Sequence, residues 1–341
     1  MRGMEIEFIL AAPPGVDLAR FDAIDALGQA YAGNSVQRIA APEETSGYWF
    51  ARFGVPRQGD WPVAPFRLSA AEAGSDYWLC ADPIHLQLDG NRLLFDPQSL
   101  EDLSGGEAES LIAGLNAHFA ADGMQLRAVS PTQWVLRVPR VVDLATPAPG
   151  LASGMAATSA LPQGADASWA RRLSSEAQML LHQAAVNLER ETRRRWPVNS
   201  LWIWGGGVRP GAGVAPAPQH TTVLSSQSHV RELCKASGGE AADLPETWSQ
   251  ASRLLDSLHG DKALIDLTEI AWKPDWEAIL QSDWLGPAAL AARKQKLTFW
   301  AVFSSPHESL RVRLYRRDLF HFFRRKSLAR LVDKSQNPGN S

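Results

Sequence analysis

Apolar positions recur along this chain with two periods, and the points where the period changes mark the elements. Glu5 to Leu10 reads as a short strand that stops at Ala11-Ala12-Pro13-Pro14-Gly15, where proline supplies no backbone N–H. Leu18, Phe21, Ile24, Leu27 and Tyr31 then fall at three- and four-residue spacing, with Asp17, Asp22 and Asp25 mostly off the stripe, which predicts an amphipathic helix. Between Tyr77 and Phe95 the period drops to two. Ile84, Leu86 and Leu88 alternate with His85 and Gln87, Asp89-Gly90-Asn91 has turn chemistry, and Leu93 to Phe95 resumes, so a β-hairpin is expected. Ser104 and Glu107 form a capping-box signature ahead of Leu111, Ile112, Leu115 and Phe119, and Gly123 stands where a helix C-cap glycine belongs.

From Leu144 to Ala167 the chain is mostly Ala, Pro, Gly, Ser and Thr, the composition of a connector that buries no face. A long helix is expected from about Ser168 to Arg195, with Leu173, Leu180, Leu181, Ala184 and Leu188 inward, ended by Trp196-Pro197. Leu201 to Trp204 follows as a strand, then a Gly- and Pro-rich loop from Gly205 to Pro218. Beyond it strands and helices alternate. Thr221–Leu224 and Ala263–Leu267 read as strands, Ser228–Ala236 and Trp248–Leu258 as helices, and Pro274 opens another helix through Trp284. Leu297–Phe303 and Leu310–Tyr315 read as a final hairpin, and Asp318 caps a basic helix ending near Leu331. The expectation is an α/β fold, a mixed, mostly parallel sheet with flanking helices. Its divisions are residues 1–143 as an α+β region with a hairpin, 144–167 as connector, 168–331 as an α/β half, and 332–341 as a disordered tail.

Composition narrows the class. The 341 residues are 45% hydrophobic and 21% charged, which fits neither global disorder nor a membrane-embedded bundle. No stretch approaches 18 consecutive apolar residues, so neither a signal peptide nor a membrane span is expected. Cys80 and Cys234 stand far apart without a second pair, which argues against a zinc site or disulfide scaffold and for a cytoplasmic address. The net charge of -3 hides a gradient, from -9 over residues 1–150 to +9 over residues 293–341. Such asymmetry fits either mutual attraction of the two ends or an anion-binding end.

Familiar catalytic signatures are absent: there is no GxSxG elbow, Walker loop, HExxH or CxxC. The histidines His85, His118, His182, His220, His229, His259, His307 and His321 are scattered and form no ligand spacing, so no metal and no cofactor are expected. Ser225 and Ser226 lie near His220 and His229 after a strand, but capping of the Ser228 helix accounts for these hydroxyls. In the basic C-terminal helix, Arg316, Arg317, Arg324, Arg325, Lys326 and Arg330 alternate with Phe320, Phe322 and Phe323. Those phenylalanines suit a core-facing stripe better than a nucleic-acid surface, and no reading element accompanies them. Trp272, Trp276 and Trp284 have helical spacing and read as core anchors.

The segment from Trp196 to Gly207 stands apart. A strand delivering Gly205, Gly206 and Gly207 lets backbone amides approach an oxyanion, with Arg190 and Arg209 flanking it, although a buried strand followed by a turn explains the same letters. Three runs carry a resemblance: Gln178 to His182, Val186-Asn187-x-x-Arg190, and Pro197-Val-Asn-Ser-Leu-Trp-Ile-Trp-Gly-Gly-Gly207. Together with Ala81 to Leu86, Leu161-Pro162-x-Gly164 and Arg317 to Phe320, they resemble the RpfE-type bacterial regulatory proteins, distant relatives of the archaeal-type cofactor-independent phosphoglycerate mutases. The resemblance implies a degenerate alkaline-phosphatase-like fold and a cleft formed by Asn187, Arg190, Asn199, Trp204, Gly205 and Gly207, which Gly206 and Arg209 join from the pattern of the glycine segment. The implied ligand is a small phosphorylated or carboxylated metabolite.

Departures from the mutase pattern are equally specific. Where a mutase of this superfamily places a metal-binding aspartate after its first strand, this chain has Ala11-Ala12-Pro13-Pro14, and no Asp is followed directly by His. Ala184-Ala185 stands where the mutases commonly show His-Pro. Without two metals the phosphoryl-transfer step loses its main transition-state stabilisation, so the resemblance implies a regulatory, non-catalytic member. The alternatives are a phosphoglycerate mutase or phosphatase-like enzyme with relocated metal ligands, and a nucleic-acid-binding regulator.

Overall fold

The computed structural model describes residues 4–11, 36–39, 45–89, 92–94, 99–152, 157–211, 214, 221–258, 260–273, 275–294, 298–304 and 309–314. The expected helix at Leu18–Tyr31, the hairpin turn at Gly90-Asn91, the C-terminal basic helix and the tail lie outside these residues. The strands are β1 (Glu5–Ala11), β2 (Val36–Ile39), β3 (Tyr77–Ile84), β4 (Gln87–Asp89), β5 (Arg92–Leu94), β6 (Gln125–Ser130) and β7 (Gln133–Val138). They continue with β8 (Ser200–Val208), β9 (Thr221–Leu224), β10 (Glu240–Ala242), β11 (Lys262–Asp266), β12 (Thr298–Ser304) and β13 (Ser309–Leu314). The longer helices are α1 (Thr45–Arg52), α2 (Gly105–Phe119), α3 (Ala167–His182), α4 (Ala185–Thr192), α5 (Ser228–Ala236), α6 (Trp248–Ser257) and α7 (Gly286–Lys294). No described helix is long and apolar enough to cross a membrane.

The chain forms two compact units, one discontinuous (residues 1–53 and 214–341) and one inserted into it (residues 54–213). The discontinuous unit holds a seven-stranded sheet in the order β10-β9-β11-β1-β12-β13-β2. Pairing is parallel from β10 through β12 and antiparallel from β12 to β2, the mixed, mostly parallel sheet that alternating strands and helices imply. Strand β1 sits between β11 and β12, with Ile6, Phe8 and Leu10 in the core of one face. Trp248, Trp276 and Trp284 pack on that same core. The expected final hairpin is present as β12 and β13.

The inserted unit has an antiparallel sheet, β6-β7-β3-β8, covered on one face by α2 and α3. Period-two alternation sends Leu201 and Ile203 of β8 into that core with Leu79, Trp134 and Leu136. The capping box at the start of α2 is formed, Ser104 Oγ accepting from Glu107 N while Glu107 accepts from Ser104 N. Gly123 closes the following turn in the left-handed conformation. The predicted hairpin appears as β4 paired with β5, separate from β3.

Three sequence expectations need correction. Residues 144–167 are not a boundary, because they pack within the inserted unit. Ala145 and Gln163 pair their backbones, Asp166 ties Arg140 and the Asp143 N–H, and Leu144, Ala152 and Ala160 are buried. The single helix from Ser168 to Arg195 is two helices. Ala184 takes an extended conformation, and the Leu181 carbonyl accepts from the Asn187 side chain as well as from Ala184 N. The loop from Gly205 begins too early, since β8 runs through all three glycines to Val208.

Candidate functional site

The eight candidate cleft residues all lie in the inserted unit, and the structure gives Asn187, Arg190, Asn199, Trp204, Gly205 and Arg209 internal hydrogen-bond partners. Asn187 is a buried clamp. Its amide nitrogen donates to Leu181 O and Val198 O, both at 2.7 Å, and its oxygen accepts from Val198 N at 2.9 Å. Asn199 does the same for Leu86, accepting from its N–H at 2.7 Å and donating to its carbonyl at 2.9 Å. Arg190, 1% exposed, donates to Trp196 O, Asp102 Oδ1 and Glu107 Oε1 at 2.8, 2.5 and 3.2 Å. A guanidinium held by two carboxylates of its own chain has little charge to offer an incoming anion. Arg209 lies 4.7 Å over the Phe66 ring and donates to Leu68 O at 2.7 Å.

The glycines serve close packing. Gly205 has φ 63°, and a Cβ there would stand 3.0 Å from Val63 Cβ; at Gly207 it would stand 2.5 Å from Pro62 Cβ. The Gly205 N–H that a phosphate loop would use is donated to Asp60 Oδ2 at 2.9 Å, and Val208 N–H to Gln58 at 3.0 Å. Trp204 donates its indole N–H to Asp82 at 2.8 Å. Asn187 and Asn199 line a surface cleft, but Arg190, Arg209, Trp204 and the glycines are not among its lining residues.

A different cluster lies at the carboxyl ends of parallel strands in the discontinuous unit, the place where open α/β sheets hold ligands. Asp266, the last residue of β11, is 1% exposed. Its Oδ1 accepts from Thr268 Oγ1 at 2.6 Å and Thr268 N at 3.2 Å, and its Oδ2 from Ser225 Oγ at 2.7 Å. Gln227 joins them, donating to Thr268 Oγ1 at 2.9 Å and more distantly to Asp266. Burial pushes the Asp266 carboxyl up to about 6, against the lowering effect of the Thr268 and Ser225 hydrogen bonds. Helix α5 begins directly after Gln227, so the positive end of its dipole stands at the same edge, with Arg231 donating to Ser225 O.

The sequence reading missed Asp266, Thr268 and Gln227, and it took Ser225 for a simple helix cap. Ser225 Oγ does accept from Gln227 N at 3.0 Å, but its proton goes to Asp266, while Ser226 donates to Glu269. His229 is buried and stacked on Phe50; His220 lies outside the described residues. The available signal was an apolar run, Ala263-Leu-Ile, ending in an aspartate two residues before a threonine.

The pair of metal ions implied by the mutase resemblance does not fit the described residues. Asp266 is surrounded by hydroxyl and amide groups, and no three His, Cys, Asp or Glu side chains among the described residues come together around a common point. The segments following β1 and β12 at this edge lie outside the described residues.

No family model matches the chain, and no curated protein matches it. Among solved structures it is similar to the cofactor-independent phosphoglycerate mutase from Thermoplasma acidophilum DSM 1728, with a TM-score of 0.42 and 13% identity over 91% of this chain and 89% of that one. It is also similar to the PH0037 protein from Pyrococcus horikoshii, with a TM-score of 0.51 and 13% identity over 94% of this chain and 92% of that one. The latter likeness establishes a common fold that extends over nearly the full length of both chains.

Proposed function

We propose that this protein is a regulatory relative of the phosphoglycerate-mutase-like proteins, of the RpfE type, which binds a small phosphorylated or carboxylated metabolite without turning it over. The observation that carries the reading is the Asp266 cluster at the carboxyl edge of β9 and β11, beside the start of α5. There the helix dipole favours an anion, and the Gln227 amide, half-buried, can turn its second N–H toward one; Arg231 is engaged by Asp243 and Ser225 O. The absence of turnover rests on Ala11 at the end of β1, in the position where the resemblance expects a metal-binding aspartate. Alanine carries no donor atom for a cation.

Calorimetry and thermal shift with 3-phosphoglycerate and inorganic phosphate, each with and without Mn²⁺, test this. The expected result is a raised Tm with 3-phosphoglycerate that is lost in Gln227→Ala, and no conversion to 2-phosphoglycerate. If neither anion stabilises the protein, or the variant responds like wild type, this edge is not the site. A second reading, metal-dependent phosphoryl transfer, is favoured by one feature, the Asp266 carboxylate beside the Ser225 hydroxyl. Mn²⁺-dependent turnover would replace the first reading with the second.

A further inference from the structure

We propose that the inserted unit carries a separate binding site for a small organic cation with an apolar or aromatic body, in the cleft between the C-terminal turn of α3, α4 and residues 197–199. The cleft measures about 390 Å³, within the roughly 300–1,000 Å³ usual for small-molecule sites. Its apolar lining comes from Leu86, Leu181, Pro197 and Val198. The floor is pre-organised, because Asn187 and Asn199 fix the backbone of Val198 and Leu86 with two hydrogen bonds each.

The charge of the cleft sets the ligand class. No Lys or Arg lines it, and its ionisable side chains are Glu191 and His182. Neighbouring carboxylates are already engaged: Glu107 by Arg190, Glu189 by Arg193, Glu176 by His118. Glu191 and His182 have no hydrogen bond or ion pair through their side chains among the described residues, so both are available to a ligand. The C-terminus of α3 at His182 and the N-terminus of α4 at Ala185 both stand at the cleft, so their opposed dipoles leave the choice of charge to the side chains. Trp196, directly before Pro197, is not among the lining residues; its ring lies 4.6 Å from that of His85. The Glu191 carboxylate, with no cationic side chain in the lining, favours positive charge, and the His182 imidazole supplies a hydrogen bond.

Tryptamine and indole-3-propionate share one ring system and carry opposite charge, so they separate this proposal from an anion site. Ligand-observed NMR titrations on the full chain should show tryptamine binding at least about tenfold more tightly, the size of one charge-assisted hydrogen bond. Glu191→Gln should weaken tryptamine by about the same factor, and Glu189→Gln, also exposed but outside the cleft lining, should leave it unchanged. Glu191 has no partner to lose, so its variant folds. The proposal is overturned if tryptamine does not bind, if the carboxylate analogue binds as well or better, or if the two glutamate variants behave alike.

Discussion

Asp82 in the inserted unit and Asp266 in the discontinuous unit are both buried carboxylates, and they are held in opposite ways. Asp82 is gripped bidentately by Arg67 at 2.5 and 2.9 Å and also accepts from Trp134 N and Trp204 Nε1. The same guanidinium lies 5.3 Å over the Trp204 ring. Asp266 has neutral hydrogen-bond partners only: two hydroxyls, a backbone N–H and an amide. A charge matched by a countercharge inside the protein is part of the scaffold, whereas a buried carboxyl held only by dipoles keeps its proton more readily.

The comparison can be broken most severely at Asp82. Asp82→Ala takes the countercharge from the buried Arg67 guanidinium, and the loss expected in urea unfolding is about 3–5 kcal/mol. A loss below about 1 kcal/mol would mean that water reaches the pair and that it is no scaffold element. Asp266 should show the opposite sign. With its pKa raised from 3.8 to about 6, the native state keeps a proton that the unfolded chain releases, so this group lowers stability as pH rises from about 4 to about 6. Asp266→Asn removes that slope. Relative to its own difference at pH 4, the variant should gain up to about 3 kcal/mol over wild type at pH 7, measured by urea unfolding at both pH values. Parallel pH profiles for the two proteins would show that Asp266 is not desolvated. The smallest effect is expected from Ser225→Ala. Losing one hydroxyl should cost about 1 kcal/mol and move the Asp266 titration further upward, which carboxyl NMR reads directly.

What the sequence disclosed depended on range. The capping box of Ser104 and Glu107 was readable because both partners lie within one helical turn. The parallel sheet followed from alternating strands and helices, which is also a local signal. The glycines of β8 were not readable as strand, because glycine ordinarily signals a turn. The reason for Gly205 and Gly207 is the approach of Val63 and Pro62, more than 140 residues away. Arg190 looked like an anion receptor for the same reason, its partners Asp102 and Glu107 lying 88 and 83 positions distant. The break at Ala184 contains neither proline nor glycine, and the Asn187 clamp beside it forms only once Val198 folds back. Asp266 belongs to no motif, and its significance appears only when β9 and β11 are known to be parallel neighbours.

The interruption of one unit by the other has a bearing on synthesis at the ribosome. Strand β1 takes its two neighbours from β11 and β12, which emerge more than 250 residues after it. The intervening 54–213 stretch has its own core and can assemble while that strand waits. Until then Ile6, Phe8 and Leu10 are an apolar segment without its sheet, and β1 is the stretch a holdase chaperone would find as its client.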